Sequence, residues 1–196
     1  WHNSLPLFSL WRAAREHHDN PNPAAWVSEG ALITRPFDQV LWAPLSVGGN
    51  ALLAMFQLIV YSGLRLREAY TLRRNQVDLE AKVIRVQNSK QWRGKVTFRE
   101  VPMRPEVHAA LVGYLATRHL LPGAYLFPFM DEDGGLELAK CSARLSARYR
   151  IAFEYAGCED LREHDLRHEA TCRWLELKDA RGQWMFRLEE VNRIMG

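Results

Sequence analysis

Two histidines and an arginine stand three and four residues apart in REHDLRHEATCRW, residues 162 to 174. On a helix, His164, Arg167 and His168 share one face, as do Asp165 with Glu169 and His168 with Cys172. Cations crowded in this way repel one another unless a negative charge sits among them. Three arrangements answer that: a bound anion held by the basic groups, a metal ion held by the imidazoles, or a solvated face with no ligand. His164 and His168 have the i, i+4 spacing of a two-histidine metal site. Against metal, Asp165 rather than glutamate follows the first histidine, no third and fourth ligand is evident, and Arg167 repels a cation.

Other basic residues sit at positions that a fold would hold firmly. In YSGLRLREAYTL, Arg65 follows a glycine-marked break between a strongly apolar segment and a short helical one. Glu68, three residues on, is placed to orient its guanidinium. Lys90 lies in SKQWRGK with Arg93 and Lys95, between two β-rich runs. Taken singly, Arg65 reads equally as an exposed arginine after a helix end, and Lys90 as a solvated turn lysine. Their neighbourhood is uneven, however. Residues 61 to 104 hold eleven Lys/Arg against four Asp/Glu, whereas the whole chain carries only +3, so the remainder is net acidic. A concentrated basic segment is the footprint of a phosphate-binding face.

The elements that must position these groups are mostly helical. Asn50 is placed to cap a helix running to Tyr61 that is apolar nearly all round and hence buried. Gly63 breaks it, and LREAYTLRR resumes a short helix. KVIRVQN (82 to 88) and VTFREVPM (96 to 103) form a hairpin with a longer basic turn. Pro105 starts a helix with Val107, Leu111 and Leu115 in register. AYLF reads as a short strand and DEDGG as a loop. LAKCSARLSARYRIAFEYAG is a long helix stopped by Gly157, DLREHDLRHEATCRWLEL is another, and RLEEVNRIMG begins one more. The fold class is mainly α with one small antiparallel β-sheet.

At 196 residues and 22.7 kDa, with 47% apolar and 25% charged residues, the chain can build one sizeable core. Cys141, Cys158 and Cys172 are odd in number and form no CxxC pair, which suits reduced thiols in a reducing compartment. ALLAMFQLIVY (51 to 61) is too short to span a bilayer. LFSLWRAAREHH (7 to 18) followed by DNPNP reads as the last helix of a preceding domain and its linker. The expected division is therefore 1–23 as that remnant and 24–196 as the main domain.

In order along the chain, YSGLRLREAYTLRRNQVDLEAKVIRVQNSK, REVPM, YLFP, HDLRHEATCRWLE and VNRIMG resemble the catalytic domain of the tyrosine recombinases, the phage-integrase family. The resemblance covers about residues 36 to 196, and its specificity lies in the ordered set. It implies that Arg65, Lys90, His164 and Arg167 surround one DNA phosphate, with Glu68 and His168 in support and Arg67, Arg93 and Lys95 contacting DNA nearby. It also implies site-specific strand cleavage and rejoining through a 3′-phosphotyrosyl link, without metal, ATP or another cofactor. The implied partners are double-stranded DNA and sister protomers in a tetrameric synaptic complex, in the cytoplasm at the nucleoid of a bacterium or phage host, with no membrane.

One departure matters. The family places a histidine or tryptophan after the IMG-like stretch and a tyrosine about two helical turns farther on, whereas this chain ends at Gly196. Tyr61, Tyr70, Tyr114, Tyr125, Tyr149 and Tyr155 all precede HDLRH, so none matches by position. The expectation is a fragment without its nucleophile, inert alone and active as part of the intact protein. The alternatives are a noncatalytic DNA-binding protein and a type IB topoisomerase-like enzyme; the HDLRH spelling and short hairpin favour the recombinase.

Overall fold

A computed structural model describes residues 50–88, 97–116, 118–130 and 137–196. The anticipated helix and linker within 1–23, the DEDGG loop, and Lys90, Arg93 and Lys95 lie outside the described residues. The elements run α1 (Asn50–Ser62), α2 (Leu66–Tyr70), β1 (Val77–Asp78), β2 (Val83–Gln87), β3 (Phe98–Pro102), α3 (Pro105–Leu115), α4 (Leu138–Tyr155), α5 (Asp165–Leu175) and α6 (Leu188–Met195). The expected class, helical with a small antiparallel sheet, is what the chain adopts.

The core is built around α1, which packs against both α3 and α5. Met55, Phe56, Leu58, Ile59 and Val60 are buried, consistent with a helix that is apolar on nearly every face. Each such side chain contributes about 1.5–3 kcal/mol of burial free energy. Helix α3 presents Val107, Leu111 and Tyr114 to this core, and α4 presents Cys141, Leu145, Tyr149, Ala152 and Phe153 at helical spacing. The sheet has the order β1-β2-β3, all antiparallel, with Ile84 opposite Val101 and Arg85 opposite Glu100. Its alternation turns Ile84, Val86 and Val101 inward. Helix α6 packs against β3 and α5, closing the molecule over the end of α1.

Three local expectations change. AYLF forms no strand: Tyr125 makes a single bridge with Arg73. Its partner segment donates Arg74 N–H to Ala124 O and accepts at Leu72 O, then turns into a 3₁₀ segment at Arg74–Gln76, so no extended neighbour exists to propagate a ladder. The helix containing HDLRH begins at Asp165, later than expected, because the Asp165 carboxylate accepts the Arg162 N–H at 2.9 Å and holds the preceding residues in turns. The helix after Gly63 stops at Tyr70, and Val77–Asp78 instead adds a third strand to the hairpin. Among the described residues no helix is long and apolar enough to cross a membrane.

Gly63 ends α1 with φ +74° while its N–H reaches Ile59 O at 2.8 Å. A Cβ at that position would collide with Met195 Sδ. Gly63→Ala is therefore expected to cost about 1–2 kcal/mol from the left-handed backbone alone, with displacement of Met195 added. A thermal melt indistinguishable from that of the unsubstituted protein would contradict this account.

Candidate active site

The glycine break sets up everything that follows it. Leu64 is buried and anchors the turn, and Arg65 takes an extended conformation (φ −68°, ψ 149°) as the residue before α2. The Glu68 carboxylate then accepts the Arg65 backbone N–H at 2.9 Å and Arg65 Nη1 at 3.1 Å. This satisfies a donor at the start of α2 and holds the guanidinium with the same side chain. The other end of the fork, Arg65 Nη2, donates to the main-chain oxygen of Gly196 at 3.0 Å.

Arg167 arrives from α5, about a hundred residues later, at the same oxygen. Its Nη2 donates to Gly196 O at 3.1 Å and to Met195 O at 2.7 Å, and its Nη1 donates to Gly63 O at 2.6 Å. Two guanidiniums from separate elements thus converge on one acceptor, with the Gly63 turn fixing the direction of each. Burial, joined by the positive charge of Arg65, lowers the Arg167 pKa from the ordinary guanidinium range to about 10; Glu68 opposes the shift and Arg99 adds to it. The group stays protonated at neutral pH, in a pocket with more positive charge than its own carboxylate balances.

That carboxylate is Glu68, and its surroundings include a residue that sequence reasoning missed. Arg99, on β3, donates to Glu68 Oε1 at 3.1 Å and to Oε2 at 2.8 Å. Burial pushes the Glu68 carboxyl up, but hydrogen bonds from Arg99 and the Arg65 backbone, with the charges of both arginines, hold it below its ordinary 4.5. A usable signal lay in the sequence: Arg99 is two residues from Val101, so the strand alternation places it on the inward face, where a charge requires an acid.

The remaining candidates are distributed around this centre. His164 immediately precedes α5, one turn before Arg167, whose N–H donates to its carbonyl at 3.1 Å. Its exposed ring meets the exposed His168 ring edge-on, with centroids 5.2 Å apart. Among the described residues neither imidazole hydrogen-bonds to Arg65 or Arg167. Arg67 is exposed on another side of α2 and lines a cavity of about 450 Å³ with Glu137, Leu138, Ala139 and Ser142 of the α4 region. Three or more His, Cys, Asp or Glu side chains do not gather into a metal-binding group among the described residues.

The six tyrosines have other positions. Tyr70 bonds to Leu138 O and Ser142 Oγ, and Tyr61 lies beneath the guanidiniums of Arg104 and Arg173. Tyr125 is covered by Arg73, and Tyr114 by Arg118. Tyr149 is fully buried, and burial first, then the Glu163 charge, push its phenol well above the ordinary range. Tyr155 is exposed at the end of α4.

Comparison with known proteins bears on the same region. The model of the phage integrase family matches residues 46–179. Comparison with curated proteins gave no match. Among solved structures the fold is similar to that of XerA recombinase, with a TM-score of 0.62 at 20% identity over 87% of this chain and 57% of that one. It is also similar to the Tn1549 transposon integrase in complex with circular intermediate DNA, with a TM-score of 0.54 at 19% identity over 86% and 58%. XerH site-specific recombinase bound to difH substrate gives 0.52 at 16% identity over 96% and 59%. The chain therefore spans less than two thirds of each of these proteins, and at such identities the likeness is one of fold. The family match covers Arg65, Glu68, Arg99 and Arg167 together, and on that match the chain belongs to the phage integrase family.

Proposed function

We propose that this chain is the catalytic domain of a site-specific DNA recombinase, cleaving and rejoining strands through a 3′-phosphotyrosyl intermediate in the intact protein. The observation that carries the reading is the convergence of Arg65 and Arg167 on one oxygen, 3.0 and 3.1 Å away. An oxygen at that point takes two charge-assisted hydrogen bonds, the environment that a nonbridging phosphate oxygen needs as charge builds on it. In the proposed step a tyrosine hydroxyl gives its proton to His164 or to water as its oxygen bonds to phosphorus, the bond to the 5′ oxygen breaks, and Lys90 supplies the proton to that leaving oxygen. His164 adds a hydrogen bond or moves a proton at the same phosphate. Rejoining reverses these events, so the phosphodiester bond energy is conserved and no ATP is consumed. Arg67, Arg93 and Lys95 contribute to holding duplex DNA, and assembly into a tetramer follows from strand exchange between two duplexes.

The test is formation of a covalent protein–DNA adduct by the full-length protein, using duplexes selected by binding from a random-sequence pool. A denaturant-stable adduct that disappears on protease treatment is expected; tight binding without any adduct would support a noncatalytic DNA-binding protein instead. Binding itself is expected to weaken with salt. Neutralising even two phosphates gives a log–log slope near −1.8, or about a twelvefold loss for a fourfold rise in salt. Affinity insensitive to salt would contradict a phosphate-facing basic segment.

A further inference from the structure

Arg99 occupies an unfavourable place for a charge. It lies on the inward side of β3 beside Val101, and its side chain is only 8% exposed. All three of its nitrogens nonetheless donate. Nε donates to Ile194 O at 3.0 Å, Nη1 to Glu68 Oε1 at 3.1 Å and Asn88 Oδ1 at 3.2 Å, and Nη2 to Glu68 Oε2 at 2.8 Å. One guanidinium therefore joins the residue after β2, β3 itself, α2 and the last turn of α6. The end of α6 also rests closely on it: a Cβ at Gly196 would meet Arg99 Cζ at 2.9 Å. A buried ion pair is a costly way to obtain stability alone, since apolar residues of similar volume commonly serve as well or better.

We propose that Arg99 is a positioning residue, which fixes the Glu68 carboxylate and through it aims the Arg65 guanidinium at the point that Arg167 also reaches. The geometry supplies the reason. The Arg99 fork spans both Glu68 oxygens and so sets the plane of a carboxylate whose terminal torsion is otherwise broad. With that plane set, Oε2 receives the Arg65 N–H and Oε1 receives Arg65 Nη1, which leaves Arg65 Nη2 directed at Gly196 O. A lysine at position 99 keeps the charge but has one ammonium in place of a fork. The carboxylate is then free to turn, and Arg65 turns with it. The consequence for rate rests on the recombinase reading given above; the aiming of Arg65 does not.

The experiment separates the two. In the protein without DNA, ¹⁵N-detected side-chain NMR reports the order of the Arg65 guanidinium. Arg99→Lys is expected to leave the melt cooperative while averaging the resolved Arg65 Nη protons. Glu68→Gln, isosteric and neutral, is expected to do the same and decides the matter if Arg99→Lys fails to fold. In full-length protein, Arg99→Lys should slow single-turnover adduct formation by about 10²-fold, the penalty of a misplaced group, with DNA affinity within about twofold. In an Arg65→Lys background the same change should add little, because both act through one guanidinium. An ordered Arg65 in a folded variant, or a full additional loss in that background, overturns the proposal. A loosened Arg65 in a protein whose wild type forms no adduct upholds the relay and removes the recombinase reading.

Discussion

Replacing Arg65 with lysine in the full-length protein is expected to slow adduct formation by about 10²–10³-fold, the usual cost of losing a preorganised donor at a developing oxyanion. The substitution is conservative only in charge. Arg65 spends one end of its fork on Glu68 and the other on the oxygen shared with Arg167. A single ammonium cannot span both with the planar geometry that a phosphate oxygen rewards. Because the charge remains, long-range attraction to the duplex persists and equilibrium affinity should change by no more than a few-fold. Arg67 supplies the contrast. It is two residues away, but it is exposed and faces the cavity beside Glu137 and Ser142. Arg67→Ala should weaken binding and its salt dependence while the rate at saturating DNA is nearly preserved. If Arg65→Lys cleaved within about threefold of the wild type, the clamp would be the wrong description of this pocket.

Much of this geometry was legible in the sequence because it depends on local rules. Gly63 marked the end of an apolar helix since only a residue tolerant of positive φ can close it there, and Arg65 followed as the first rigidly held side chain. Pro105 and the Val107–Leu111 spacing located α3 for the same kind of reason. The start of α5 was harder, because Asp165 favours both a helix N-terminus and a turn, and only the Arg162 N–H it captures decides between them. Tyr125 and Leu126 looked like a strand by composition, but a ladder propagates only while its neighbour stays extended, and directly after Arg73 the chain turns into the 3₁₀ segment Arg74–Gln76. Arg99 was missed because its importance is nonlocal: nothing within its own strand indicates that Glu68, thirty-one residues earlier, lies opposite it. The ordered resemblance to the recombinases located Arg65 and Arg167, but the bond that joins the sheet to Arg65 became visible only in three dimensions.

That bond also carries the second large expectation, which concerns folding and needs no DNA. Glu68→Ala removes the acid from a pair whose side chains are 5% and 8% exposed, and leaves Arg99 buried with its principal partner gone. Breaking a buried pair on one side costs about 3–5 kcal/mol, or roughly 6–20 °C in melting temperature for a domain of this size. The pH dependence has a definite sign. The folded Glu68 pKa lies below 4.5, held there by the Arg99 and Arg65 hydrogen bonds and charges even though burial opposes them. The unfolded chain therefore binds the proton more tightly, so this contribution is complete above pH 4.5 and is lost as the pH falls through the folded value. Glu68→Gln keeps the volume and abolishes the titration. The difference in stability between wild type and Glu68→Gln should consequently be constant near neutrality and shrink on acidification below the ordinary carboxylate range. A difference that grew in acid, or a Glu68→Ala melt within about 2 °C of the wild type, would mean that Arg99 finds adequate solvation without the carboxylate, and that the junction of β3, α2 and α6 is held by apolar packing alone.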